Sequence, residues 1–205
     1  MHAPIASTSL ALLLVASLAT NPAPAGQAKS APASGKYKVD PEHSTVLLKV
    51  KHLNTSWTFC HFDQVSGEFT VDPAKPESGS LKVVVAASSI ATGQAARDGH
   101  LKSADFLDVA QFPEITFTSK KISKSGEGKY KVEGELALHG VKKSLSVDLE
   151  EVGTSDSKFG VRAGYFGTFS VQRKDFGITF MPDAVGDEIA VTVSVEGIKG
   201  DGNAK

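Results

Sequence analysis

The chain has 205 residues, with 22 Lys and Arg against 23 Asp and Glu, so its formal net charge at pH 7 is −1. This balance gives no strong field to steer the chain toward nucleic acid or an anionic membrane surface, and we expect no nucleic-acid partner. Removal of an export segment would leave roughly 180 residues, which is enough for one domain with a substantial core.

The first 25 residues have the pattern of a signal peptide. A short apolar run from Leu10 to Leu18 precedes Ala23-Pro24-Ala25, where small residues occupy the two positions that signal peptidase reads. The run is too short to span a bilayer as a helix, so we expect residues 1–25 to be removed and no integral membrane span to remain. Residues 26–35 are mainly Ala, Ser, Pro and Gly, a composition that predicts a flexible linker.

Beyond the linker, apolar residues recur at every second position, which is typical of β-strands with one buried face. The pattern predicts one all-β domain over residues 36–199, followed by a disordered tail at residues 200–205. About eight strands are expected in this domain. The alternating segments begin at Val46, Val65, Leu81, Ile115, Tyr130, Leu145, Phe159 and Ile189.

Short turn signals such as Asp72-Pro73 and Val185-Gly186-Asp187 separate these segments, so successive strands are expected to be antiparallel neighbours. Eight strands with one apolar face each can stack as two sheets or close into a barrel wide enough for one small ligand. Closure also removes exposed sheet edges, which favours the barrel. Residues 92–109 interrupt the alternation and Pro113 follows them, which predicts a short helical connection that caps the barrel mouth.

The inward-facing positions combine small and large residues. Gly67, Gly134, Ala163 and Gly167 share the inward parity with several phenylalanines, which predicts room for an apolar ligand, unless the glycines only mark bulges and bends of the sheet. The residues predicted to line this cavity are Val46, Leu48, Val50, Phe69, Val83, Val85, Phe106, Phe117, Leu136, Leu145, Phe159, Phe169 and Val191.

Three polar residues are candidates to contact a ligand headgroup at the mouth: Arg97 and His100 on the helical connection, and Arg173 before the last strand. A guanidinium binds phosphate or carboxylate well beside an apolar cavity. The other interpretation is that Arg97 and Asp98 form a network that only caps the helix.

Cys60 is the single cysteine, so no internal disulfide can form. Phe59 and Phe62 flank it, which favours a buried side chain over a reactive thiol. The six histidines show no recognised metal-ligand spacing, and the chain lacks a nucleophile elbow and a phosphate-binding loop. We therefore expect no enzyme activity, no metal site and no cofactor.

Motifs spread over nearly the whole mature chain resemble those of the YceI-like family in sequence and order. They are YKVDPEHS from Tyr37, RDGHLKSADFLDV from Arg97, FPEITF from Phe112, LALHGV from Leu136 and RKDFGI from Arg173. The resemblance implies a lipocalin-like antiparallel barrel. It also implies a periplasmic location and a polyisoprenoid or similar long-chain lipid as the ligand.

The pattern and the resemblance together give one leading hypothesis and two alternatives. The leading hypothesis is non-catalytic carriage or sequestration of one polyisoprenoid or acyl-chain lipid inside the barrel. The first alternative is a periplasmic structural or interaction protein whose barrel is solid, and the second is a redox enzyme that depends on Cys60. Whether two barrels pair as a homodimer stays open.

Overall fold

The computed structural model describes residues 31–200. The predicted signal peptide at residues 1–25, residues 26–30 of the linker and residues 201–205 of the tail lie outside this range. The described chain forms eleven strands and one α-helix, together with 3-10 helices at Pro76–Ser78, Ala87–Ser89 and Arg173–Phe176. The strands are β1 Gly35–Val39, β2 Thr45–His52, β3 Ser56–Phe62, β4 Val65–Val71, β5 Ser80–Ala86, β6 Ile90–Ala91, β7 Glu114–Gly126, β8 Lys129–Leu138, β9 Val141–Ser157, β10 Gly160–Gln172 and β11 Val185–Lys199, and helix α1 is Ala95–Lys102.

Eight of these strands close an antiparallel barrel. Around the ring the order is β1-β4-β5-β7-β8-β9-β10-β11, and β11 returns to β1. The closing strand is β1, because Tyr37 lies opposite Phe69 of β4 and also opposite Lys199 of β11. The predictions of an all-β, eight-stranded antiparallel barrel and of a short helical connection within residues 92–109 are both confirmed.

The remaining strands, β2, β3 and β6, extend the sheet from β11. The 15-residue β11 is long enough to offer one edge to two partners, with Gly197 to Lys199 paired with β1 and Val185 to Ser194 paired with β2. The sequence pattern therefore predicted the right number of ring strands but counted β2 in place of β1. Because β1 has only five residues, its alternation is too short to stand out.

The strand connections lie at two ends of the barrel, which we call the helix end and the far end. Helix α1 lies at the helix end, together with the β2–β3 turn at residues 53–55, the β8–β9 turn at residues 139–140 and the β10–β11 connection at residues 173–184. The far end carries the β4–β5, β7–β8 and β9–β10 connections.

Aromatic rings fix the closing strand to the rest of the ring. Tyr37 is fully buried and stacks on Phe69, with 5.0 Å between ring centroids, and Tyr165 meets Phe69 edge-to-face at 5.6 Å. Stacked and edge-to-face pairs add to the free energy of burial, so this contact stabilises the junction between β1 and β4. Within residues 31–200, none of the helical segments has the length and apolar character needed to cross a lipid bilayer.

Candidate functional site

The barrel encloses a cavity of about 490 Å³, and most of the surface of its wall is apolar. The wall residues come from alternate positions of the strands, because successive side chains of a strand point to opposite faces. The volume lies within the range of roughly 300 to 1,000 Å³ found for small-molecule sites. A cavity of about 150 Å³ takes up benzene, so this one has room for a chain on the order of twenty carbon atoms. The barrel is therefore not solid.

Eleven of the thirteen residues predicted to line the cavity lie at its wall, and their contact with a ligand stays a prediction. They are Val46, Leu48, Val50, Phe69, Val83, Val85, Phe106, Phe117, Leu136, Phe169 and Val191.

The structure does not place the other two predicted lining residues at the cavity wall. Phe159 lies in the turn between β9 and β10, immediately before Gly160, and 67% of its surface is exposed. The alternation in the sequence continues through this turn, although the strand itself begins only at Gly160. Leu145 has the inward parity on β9, but it lies opposite Gly134 and does not reach the cavity wall. Parity alone does not show whether a side chain lies beside open space.

Further wall residues were missed by the sequence analysis. Those on strands, such as Leu81, Ile115 and Val132, have the same inward parity as the predicted ones, so the signal was present. Ile178 and Met181 come from the β10–β11 connection, which has no periodic pattern to indicate that it reaches the cavity.

The inward glycines do not themselves create empty space in the barrel, because neighbouring atoms occupy the place where a side chain would lie. A Cβ at Gly134 would lie 2.5 Å from Cζ of Phe117, and a Cβ at Gly167 would lie 2.7 Å from Cδ2 of Leu149. Each glycine instead lets a large side chain of the neighbouring strand lie flat against the sheet. These side chains are thereby drawn toward the wall, and the space lies nearer the barrel axis.

Arg173 reaches the cavity wall but is held by the backbone of its own connection. Its Nε donates to the Gly186 carbonyl at 3.1 Å, and Nη2 donates to Val185 at 2.9 Å. Its Nη1 donates to the carbonyls of Ile178 and Phe180, at 3.0 and 2.8 Å. Only 5% of the residue is exposed, and this burial lowers the pKa of the guanidinium. Four of its five N–H donors are thus used to shape residues 173–186.

Arg97 and His100 also lie at the cavity wall at the helix end, each with a protein partner. Arg97 donates from Nε to the hydroxyl of Thr92 at 2.9 Å and from Nη2 to the Thr92 carbonyl at 3.1 Å. Asp98 accepts from the Thr92 N–H at 2.9 Å, so both residues form a network around Thr92 at the start of α1. His100 Nε2 lies 2.8 Å from Oδ2 of Asp105. Arg97 and Asp98 thus form a local network, as the second interpretation expects, but it binds Thr92 ahead of the helix, and Gln94 at the N-cap makes no side-chain capping hydrogen bond.

Cys60 lies on the cavity wall, and the interpretation of a buried side chain is confirmed, since its residue is 7% exposed. Burial raises the pKa of the thiol to about 11. A thiolate is the nucleophilic form of cysteine, and it is scarce at neutral pH when the pKa is this high. The environment therefore disfavours a redox role for Cys60.

A polar cluster lies on the outside of the barrel where β1, β10 and β11 meet. Asp40, His43 and Glu196 lie close enough together to hold a metal ion, but Arg162 Nη1 donates to both carboxylates. His43 Nδ1 lies 2.9 Å from Oδ2 of Asp40. Burial alone would raise the pKa of Asp40, but the hydrogen bonds from His43 and Arg162 outweigh it and hold this pKa at about 2. The cluster is thus an ion-pair network that joins three strands.

Comparison with known proteins agrees with this architecture. The YceI-like domain family matches residues 37–197. A UPF0312 protein of Pectobacterium carotovorum subsp. carotovorum (strain PC1) is 36% identical over 195 residues, which cover 94% of this chain and 97% of the relative.

Two solved structures share the fold. Burkholderia cenocepacia BcnA has a TM-score of 0.70 and 23% identity, covering 77% of this chain and 98% of that one. A polyisoprenoid binding domain from Saccharophagus degradans has a TM-score of 0.63 and 15% identity, covering 80% of this chain and 98% of that one. With the match over residues 37–197 and the relative at 36% identity, the chain belongs to the YceI-like family.

Proposed function

We propose that the protein binds one molecule of a long-chain amphiphilic lipid, such as a polyisoprenoid, inside the barrel and carries or sequesters it without catalysis. The observation that carries this proposal is the apolar cavity of about 490 Å³. Its wall includes Met181 at the helix end and Asp72 at the far end, so the cavity runs along the barrel axis. An apolar space that extends along the barrel suits an extended chain better than a compact ligand.

The energetics of burial are consistent with this ligand class. Each methylene group moved from water into an apolar site contributes roughly 0.8 kcal/mol, so a chain of about twenty carbon atoms, for which the cavity has room, gains about 16 kcal/mol. Association costs roughly 4 to 15 kcal/mol in lost freedom of motion. A chain that fills the cavity therefore has enough apolar surface to offset this cost, whereas a short fragment has not.

The comparisons support the proposal at the level of family and fold. One neighbour in fold is a polyisoprenoid binding domain by name, and the apolar interior found here is of the kind that such a ligand requires. The signal-peptide pattern of residues 1–25 supports export, and we include a periplasmic location in the proposal. The solid-barrel alternative conflicts with the cavity, and the Cys60 alternative conflicts with the burial of the thiol.

The test is to express the chain with its N-terminal segment in a bacterium, purify it without detergent, extract it with organic solvent and analyse the extract by mass spectrometry. An unrelated exported protein purified in parallel gives the background. We expect one class of long-chain lipid at close to one molecule per barrel. Protein that is reproducibly free of lipid and also fails to bind added prenyl lipids would contradict the proposal.

A further inference from the structure

Exposed apolar side chains cluster at the helix end. Leu53, at the tip of the β2–β3 hairpin, is 54% exposed, and Met181, in the β10–β11 connection, is 45% exposed. The Leu53 N–H donates to the Ala184 carbonyl at 2.8 Å, and the N–H of Ala184 donates to the Met181 carbonyl at 3.1 Å. The hairpin tip and the connection therefore form one surface. We call Leu53, Trp57, Phe180 and Met181 the rim.

The rim is continuous with the cavity. Met181 belongs both to the exposed surface and to the cavity wall. The ring of Phe180 contacts the wall residues His100 and Phe106 edge-to-face, with centroid distances of 5.3 and 5.5 Å. Whatever covers the rim therefore also lies against the helix end of the cavity, where Met181 is part of the wall.

Two residues of the rim have a backbone conformation that large apolar residues rarely adopt. Leu53 and Met181 both have a φ of 49°, in the left-handed region that Gly and Asn adopt most easily. In the turn at residues 53–55, both Leu53 and Asn54 have a positive φ, a conformation favoured by Asn or Gly, so folding alone does not explain a leucine at position 53. Strained positions of this type concentrate at functional sites, which indicates that the exposed side chains themselves are used.

The charged side chains beside the rim indicate which class of partner the surface fits. Trp57 is 49% exposed, and the Nζ atoms of Lys49 and Lys51 lie 4.4 and 5.5 Å from the centroid of its ring. Residues 45–62 contain these two lysines and no Asp or Glu, whereas residues 173–184 contain two basic and two acidic residues, so the positive charge of the rim lies on the hairpin. Trp and Lys are the side chains enriched where a protein meets lipid headgroups, and lysine is attracted to anionic ones.

We propose that the helix end docks onto an anionic lipid bilayer, with Leu53 and Met181 inserted among the headgroups and Trp57 and its two lysines at headgroup level. This inference rests on the proposed lipid-binding function, since docking places the helix end of the cavity against the lipid phase. A long chain can then pass between bilayer and cavity without exposing its methylene groups to water, which is the costly step in transfer through solution.

The test uses the fluorescence of Trp57, the single tryptophan of the chain, during titration with vesicles of phosphatidylcholine and phosphatidylglycerol. We expect a blue shift, quenching by brominated acyl chains, and weaker binding at high salt or with phosphatidylcholine alone. L53S should reduce vesicle affinity about tenfold or more, because a leucine no longer leaves water. K49Q should reduce the preference for anionic vesicles.

The matched control is F159S, which removes an apolar side chain at the far end that is even more exposed than Leu53. It should bind vesicles as the wild type does, and thermal unfolding of all variants shows whether they are folded. Docking is wrong if wild-type fluorescence does not respond to vesicles, or if F159S weakens binding as much as L53S. Solvent extraction of the same preparations separates the two proposals, because lipid-loaded protein that ignores vesicles contradicts docking alone, whereas protein that never holds lipid contradicts the proposed function.

Discussion

The ring of Phe117 on β7 lies over Gly134 of β8, so closely that a Cβ at position 134 would be 2.5 Å from Cζ of the ring. Because Phe117 also lines the cavity, any atom added at Gly134 pushes the ring toward the space proposed for the lipid. The packing of the wall and the size of the cavity are therefore coupled at this pair.

The first prediction concerns G134A. Overpacking should lower the free energy of unfolding by about 1 to 3 kcal/mol and reduce the amount of bound lipid. G153A is the control, since nothing lies within 4 Å of a Cβ at Gly153 on β9, and replacing glycine there should be neutral or slightly stabilising. Denaturant unfolding measures both effects. Equal stability of the two variants would show that both the Phe117 ring and the backbone carbonyl of Thr118, which lies at the same 2.5 Å, move aside without cost.

The second prediction concerns Arg173, whose fork donates to four backbone carbonyls. R173K cannot reproduce that geometry and should lose about 1 to 3 kcal/mol of stability, since buried acceptors are left without donors. R97K, at an exposed position, should change stability by no more than about 0.5 kcal/mol. Chemical denaturation compares the two. An R173K variant of normal stability with a large loss of lipid affinity would instead assign Arg173 to the headgroup.

The third prediction concerns pH. The pKa of Asp40 is held at about 2 in the folded chain, while an unfolded Asp titrates near about 3.9. The unfolded state therefore takes up a proton first as pH falls, so the stability from ionised Asp40 is full above about pH 4 and is lost toward pH 2. D40N should be less stable than wild type at neutral pH, and the difference between their melting temperatures should shrink below about pH 4. A difference that stays constant down to pH 2 would contradict this assignment.

The fourth prediction concerns Cys60. With a pKa of about 11 and little exposure, its thiol should react slowly with iodoacetamide at neutral pH and rapidly once the chain is unfolded. Added long-chain lipid should slow the reaction further, because Cys60 lies on the cavity wall. Fast labelling of the folded chain at pH 7 would reopen the redox alternative.

Much of the barrel could be predicted from the sequence because period-two alternation reports directly which strand face is buried. Val46, Leu48 and Val50 lie on the cavity wall as their parity indicates. The pattern failed where both faces of a strand are apolar. On β3, Trp57 points outward while Cys60 is buried, so no apolar-polar alternation marks this strand.

The polar end of the site was harder to predict, since composition and spacing carry no information about hydrogen-bond partners. Arg97 and Arg173 look alike in the sequence. In the structure, Arg97 is exposed and donates to Thr92, whereas Arg173 is buried and donates to backbone carbonyls. The rim was not visible either, because it joins Leu53 to Met181 through a contact between residues far apart in the chain.

Lipid occupancy in a matched pair of tryptophan variants tests the central claim most directly. V191W fills the cavity from the wall, whereas S170W adds the same ring at an exposed position on the adjacent strand β10. Native mass spectrometry of detergent-free protein should show about one lipid per barrel for wild type and S170W, and several-fold lower occupancy for V191W. Equal occupancy in the two variants would contradict a lipid bound inside the barrel.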